Sequence, residues 1–121
     1  MENLPPLSNF VGEYRDVELP IDMKYDHKKS MVVRTDSFTG GVFYYSGRVE
    51  RDSLKHFILN SMQKNQWKRA GEVASDSILL AFTKPHKSCT VVLDEGFGGA
   101  LGYTYVAIYI AEDVAAGSGG L

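Results

Sequence analysis

Apolar and polar positions divide the chain into a front segment without a period and a longer segment that is strongly periodic. Through residues 1–29, prolines, charges and isolated apolar residues mix irregularly, as in Leu4-Pro5-Pro6-Leu7 and Glu18-Leu19-Pro20-Ile21-Asp22-Met23. Neither a repeat of two nor one of 3.6 is sustained, so this stretch reads as an extended N-terminal arm. Leu7, Phe10, Leu19, Ile21 and Met23 are the residues that could anchor such an arm onto a sheet.

From Ser30 the pattern changes. Met31-Val32-Val33-Arg34-Thr35 and Val42-Phe43-Tyr44-Tyr45-Ser46-Gly47-Arg48-Val49 are rich in branched and aromatic residues and predict a hairpin turning around Thr39-Gly40-Gly41. Asp52 or Ser53 is placed to cap a helix in which Leu54, Phe57, Ile58, Ser61, Met62 and Asn65 recur at helical spacing, leaving Lys55, His56, Asn60, Gln63 and Lys64 on the wet face. Four further strands follow: Trp67 to Val73, Ser77 to Lys84, Ser88 to Leu93 and Tyr103 to Ala111, with turns at Ala74-Ser75-Asp76 and Pro85-His86-Lys87. The predicted order is ββαββββ, an α+β domain over 30–112. It has an antiparallel sheet of about five to six strands with one amphipathic helix packed on one face. Residues 113–121, ending Gly117-Ser118-Gly119-Gly120-Leu121, read as a flexible tail.

Composition bounds this picture. With 121 residues, 44% hydrophobic and 23% charged, the chain is long enough for one core and too short for several domains. Thirteen basic against fifteen acidic residues give a net charge of -2, which supplies no general attraction to nucleic acid or to an anionic membrane. The charge is nonetheless uneven: Arg48, Arg51, Lys55, Lys64, Lys68 and Arg69 cluster around the helix, and no basic residue follows Lys87. No run approaches the length of about 20 apolar residues that spans a bilayer, and Met1-Glu2-Asn3-Leu4-Pro5 lacks the features of a signal peptide.

Few residues suggest chemistry. Gly96-Phe97-Gly98-Gly99-Ala100-Leu101-Gly102 follows a strand, but its spacing is not that of a dinucleotide loop and no helix follows it, so it reads as a hairpin connection. His27, His56 and His86 have no ligand spacing, and the single Cys89 opens a hydrophobic run and reads as buried and structural. Asp94-Glu95 and Glu112-Asp113 flank the ends of the last hairpin as solvated turn charges. No catalytic residue, metal site or cofactor is expected.

The more informative feature is aromatic. Alternation along the last strand puts Tyr103, Tyr105, Ala107 and Tyr109 on one face and Thr104, Val106, Ile108 and Ile110 on the other. The aliphatic face should pack under the helix, leaving a tyrosine stripe opposite, joined either by Phe43 and Tyr45 or by Tyr44. Tyrosine combines large contact area with a polar handle, so the stripe is a candidate interface, unless the N-terminal arm covers it. Stacking of single-stranded RNA is disfavoured, because Gly40 to Tyr45 lacks the basic start and spacing of the RNA-recognition signature.

The segments Gly41 to Val49, Ser53 to Phe57, Met62-Gln63-Lys64-Asn65-Gln66-Trp67 and Ile78 to Lys84 together resemble a group of small uncharacterised bacterial envelope proteins. Many members look like lipoproteins and share a pattern of G-x-V, M-x-x-N-x-W and L-x-F-x-K. Gln66 stands where that group usually has glycine, and the chain lacks a lipobox cysteine. The resemblance implies an envelope or periplasmic location and no enzymatic activity. The expectation is therefore a non-enzymatic structural or protein-interaction module that associates through a sheet face or edge, with a protein partner or with itself. The alternative is a small-ligand binder with a pocket between helix and curved sheet, where Gly47 and Gly71 would let the sheet bend.

Overall fold

The computed structural model describes residues 8–96 and 102–115. Strands β1 (Ser8–Val11) and β2 (Tyr14–Pro20) form a hairpin, followed by β3 (Lys24–Tyr25), β4 (Met31–Arg34) and β5 (Phe38–Gly47). Helix α1 (Arg51–Lys64) comes next, then β6 (Lys68–Ala74), β7 (Ile78–Lys84), β8 (Lys87–Glu95) and β9 (Thr104–Asp113). The α+β class and the antiparallel pairing are as expected. The strand count and order are not: among the described residues a two-stranded sheet accompanies a seven-stranded one ordered β3-β5-β9-β8-β7-β6, with β4 also paired to β5.

The difference from the expected ββαββββ order arises in the stretch read as an arm. The β1–β2 register breaks between Phe10 and Val11, so Val11, Tyr14, Val17 and Leu19 all enter the core without keeping a two-residue period in the sequence. Of the anchors named above, Leu19 and Met23 are buried, Phe10 and Ile21 are exposed, and Leu7 lies outside the described residues. Gly12 turns the hairpin at φ +57, and a Cβ there would lie 2.8 Å from the Phe43 ring. Glycine is thus required both for the left-handed backbone and for the close approach.

Gly40 and Gly41 also depart from the expected hairpin turn. They lie inside β5 rather than at a turn, and the turn is at Asp36-Ser37, closed by Thr35 N–H to the Phe38 carbonyl at 2.7 Å. A Cβ at Gly40 would collide with the Ile110 carbonyl and one at Gly41 with the Met31 carbonyl, so both serve close strand approach.

Helix α1 is capped by Glu50, whose carboxylate accepts from Ser53 N–H at 3.3 Å and Ser53 Oγ at 3.0 Å, in place of the expected Asp52 or Ser53 cap. Leu54, Ile58, Ser61 and Met62 are buried as the spacing predicts. At its exit Gln66 N–H donates to the Gln63 carbonyl at 3.0 Å and Trp67 N–H to the Met62 carbonyl at 2.9 Å. This is a Schellman cap, and Met62 and Trp67, at the two positions whose apolar contact usually accompanies it, are both buried. Gln66 takes φ +71, the conformation glycine adopts most easily.

The core lies on one face of the large sheet. Phe43, Tyr45, Val106, Ile108, Ile110, Cys89, Val91, Leu93, Leu80 and Phe82 face it, and α1 together with the β1–β2 hairpin closes it from above.

Candidate interaction face

Cross-strand pairs share a face, so the register determines which aromatic residues stand together. Val42, Tyr44 and Ser46 of β5 oppose Tyr109, Ala107 and Tyr105 of β9, and these in turn oppose Thr90, Val92 and Asp94 of β8. Met31 extends the first row through Val42, and Leu79 and Val73 extend the second through Val92. This is the outer face, away from α1 and the hairpin, and among the described residues no element covers it. Tyr105 is 44% and Tyr109 46% exposed.

The tyrosines of the last strand therefore do stand on the outer face, but two of the residues expected beside them do not. Phe43 and Tyr45 oppose Ile108 and Val106 and are buried on the inner face, so Tyr44, and neither of them, joins Tyr105 and Tyr109. Simple alternation within β5 separates the two sets. Inside, Phe43 meets Tyr14 edge-on with ring centroids 6.0 Å apart, and Tyr45 meets Tyr25 at 5.2 Å. Burial pushes the Tyr45 phenol above the usual range, with the nearby Tyr25 adding to it. Tyr103 is half-buried at the end of the stripe, its ring edge-on to Tyr105 at 5.4 Å and its hydroxyl 3.4 Å from Ser46 Oγ. A side-chain hydrogen bond with Tyr44, helped by burial, pushes the Tyr109 phenol up as well.

Beside Tyr44 the face is notched. β3 and β4 flank different parts of β5, and the turn between them replaces the ladder at Tyr44: Asp26 N–H donates to the Tyr44 carbonyl at 2.8 Å, and Tyr44 N–H donates to Ser30 Oγ at 2.9 Å. A hollow of about 270 Å³ results, bounded by Asp26, Lys29, Tyr44, Ser46, Asp94 and Tyr105. Its walls combine aromatic surface with carboxylates, a hydroxyl and an ammonium, the mixture of apolar body and fixed polar points that recognition sites use.

A second group of charges sits on the core side, undetectable from local sequence because its members are far apart in the chain. Asp16 Oδ2 accepts from Lys84 Nζ and Lys87 Nζ, each at 2.8 Å. Both ammonium groups lie over the Trp67 ring, at 4.9 and 5.5 Å from its centroid. Burial raises the Asp16 carboxyl, and the hydrogen bonds and charges of the two lysines outweigh it, so the group is held below the usual carboxylate range. The second oxygen, Oδ1, is buried without a partner among the described residues. This arrangement pins strand β2 to the β7–β8 turn.

The remaining candidates stay apart. His27 stacks edge-on with Tyr25, His56 Nδ1 is 2.9 Å from the Asp52 carbonyl, and His86 occupies the β7–β8 turn at φ +64. No group of three potential ligands gathers among the described residues. Cys89 is buried, and burial pushes its thiol up to about 12. β8 and β9 pair antiparallel on either side of the glycine loop, of which residues 97–101 lie outside the described residues. The acidic pairs occupy opposite ends of that hairpin, with Asp94 bonded to Ser77 Oγ. Around the basic helix segment, Lys55 pairs with Glu72, and Arg51 donates to the Asp76 carbonyl at 2.6 Å. No described helix is long and apolar enough to cross a membrane.

Comparison with protein-family models, with curated proteins and with solved structures finds no match.

Proposed function

We propose that this protein is a non-enzymatic interaction module that binds another protein through the outer face of its large sheet. The observation that carries the reading is the asymmetry of the sheet. One face is closed by α1 and the hairpin, whereas the other presents Tyr44, Tyr105 and Tyr109 among Met31, Val92 and Leu79 with no described covering. Contiguous apolar and aromatic surface of this kind is rare on a monomer without an interaction role. Tyrosine offers large contact area at low conformational-entropy cost, which suits such a surface to binding. An envelope setting, which the resemblance implies, belongs to the same proposal.

The test is chemical crosslinking of the tagged chain in its native cells. A discrete adduct of one identified protein should form with the wild type and with Lys55→Ala on the helix, and should be lost in Tyr105→Ala with Tyr109→Ala. An adduct that survives the tyrosine substitutions contradicts the reading.

A second reading, binding of a small apolar ligand, is favoured by a specific cavity. Beneath the centre of α1 the space is filled by Leu54, Ile58 and Met62. A groove of about 530 Å³ opens instead between the β1–β2 hairpin and β3–β5, lined by Phe10, Ile21, Tyr25, Val32 and Phe43. Native mass spectrometry of the freshly purified protein decides it: a retained small molecule supports a ligand groove, and the bare protein mass counts against it.

A further inference from the structure

We propose that β4 is a pairing edge through which two copies of this chain join antiparallel about a two-fold axis. All four residues of Met31–Arg34 are exposed, and three are apolar: Met31 at 60%, Val32 at 51% and Val33 at 40%. One side of β4 pairs with β5, and among the described residues no strand pairs with the other. Alternate backbone N–H and C=O groups along the strand are therefore directed outward, which is the template that a further strand uses.

The two edges of the sheet differ in how they are protected. At the opposite edge β6 carries Lys68, Arg69 and Glu72 and a register shift between Arg69 and Gly71, features that discourage strand addition. β4 has a regular register and a single charge, Arg34, which is occupied by Glu13 at 2.7 Å. An apolar, unbulged edge is what natural sheets avoid unless the edge has a partner.

The strand's own sequence identifies that partner as a second copy. Directly opposed residues share a face, so an antiparallel pair related by a two-fold axis places one residue opposite itself. With the axis at Val32, Val32 meets Val32 of the second copy and Met31 meets its Val33 on the outer face. Arg34 then meets Ser30, so no like charges oppose and every central pair is apolar. Because the axis is normal to the sheet, both tyrosine faces lie on the same side of one continuous sheet. That last consequence rests on the reading of the face as a binding surface, whereas the pairing itself rests only on the edge.

Sedimentation velocity over a concentration series tests the proposal. The wild type should pass from monomer to dimer. Val32→Lys and Val32→Glu, each placing like charges at the axis, should raise the midpoint concentration at least about tenfold. An equimolar mixture of the two variants should restore the dimer. Circular dichroism checks that each variant is folded, and in the wild type the outward-directed Val32 and Arg34 amides should exchange more slowly as concentration rises, whereas that of Val33, directed toward β5, should not change. A wild type that stays monomeric, a dimer that persists in Val32→Lys, or a mixture that stays monomeric overturns it. Tyr105→Ala with Tyr109→Ala should leave the dimer intact; if that pair dissolves the dimer and Val32→Lys does not, copies join by the face and the edge proposal fails.

Discussion

The indole Nε1–H of Trp67 donates to the backbone carbonyl of Asp16 at 2.8 Å, across 51 residues of chain. Trp67 is held at the helix exit by the Schellman cap, so this bond transfers the position of α1 to strand β2. Two strand positions further on, the Glu18 carboxylate accepts from Asn65 Nδ2 at 2.8 Å and Ser8 Oγ at 2.9 Å. The hairpin and the helix are thereby fastened to each other as one lid over the inner face. This lid is what makes the two faces of the sheet chemically different.

Trp67→Phe keeps most of the apolar contact and removes the donor. Leaving the Asp16 carbonyl unpaired should cost about 1 kcal/mol, read as a lower urea midpoint with an unchanged slope. Trp67→Ala also empties a buried site and should cost about 3–5 kcal/mol.

Asp16 links stability to pH. Its folded-state carboxyl lies below the usual range, because the two lysines outweigh its burial, and that of Glu18 is lowered first by Asn65 and then by Ser8 and Lys64 against its own burial. A lowered folded-state pKa stabilises the fold above the unfolded value of about 4, and the contribution is lost as pH falls through the folded-state value. Asp16→Asn should therefore lower stability by about 1–3 kcal/mol at pH 7, and its deficit relative to wild type should shrink progressively below about pH 4. Thermal unfolding of both proteins across pH 3 to 7 checks the sign.

Backbone conformation separates three substitutions. Gln66→Gly relieves a left-handed φ at the helix exit and should stabilise by up to about 1 kcal/mol. Gly12→Ala combines a left-handed φ with a contact on the Phe43 ring and should destabilise by about 1–3 kcal/mol. At Gly71 a Cβ would meet nothing within 4 Å, so Gly71→Ala should change stability by no more than about 0.5 kcal/mol in the unfavourable direction. Chemical denaturation of the three variants should reproduce this order.

Cys89 should be inert in the folded protein. It is fully buried, with its thiol raised to about 12, so a thiol reagent at pH 8 should label it only as fast as the fold opens. Stoichiometric labelling within seconds under native conditions would contradict its position.

The sheet and helix from Val42 onward were largely legible in the sequence because β7, β8 and β9 keep a period of two and α1 keeps its helical spacing, whereas the start of β5 was hidden by Gly40-Gly41, which read as a turn. Tyr105 and Tyr109 could be placed on one face by alternation alone. Tyr44 could not be chosen over Phe43 and Tyr45, since alternation within β5 leaves two sets of aromatic residues and only the pairing with β9 decides between them. Strands β1 to β3 were hidden for a different reason. Their core residues cross a register break and a tight turn at Gly12, so burial there follows tertiary packing rather than a local repeat. The Asp16, Lys84, Lys87 and Trp67 group likewise exists only once β2 crosses the helix exit.

The outer face is most directly tested by a photo-crosslinking amino acid placed singly at Tyr105, Tyr109, Val92 and, as a control on the helix, His56, in cells that express the chain at its native level. The three face positions should yield the same adduct, with one protein identified by mass spectrometry, and His56 should yield none. Equal adducts from His56, or none from Tyr105 and Tyr109, would show that the tyrosine face is not where this protein binds.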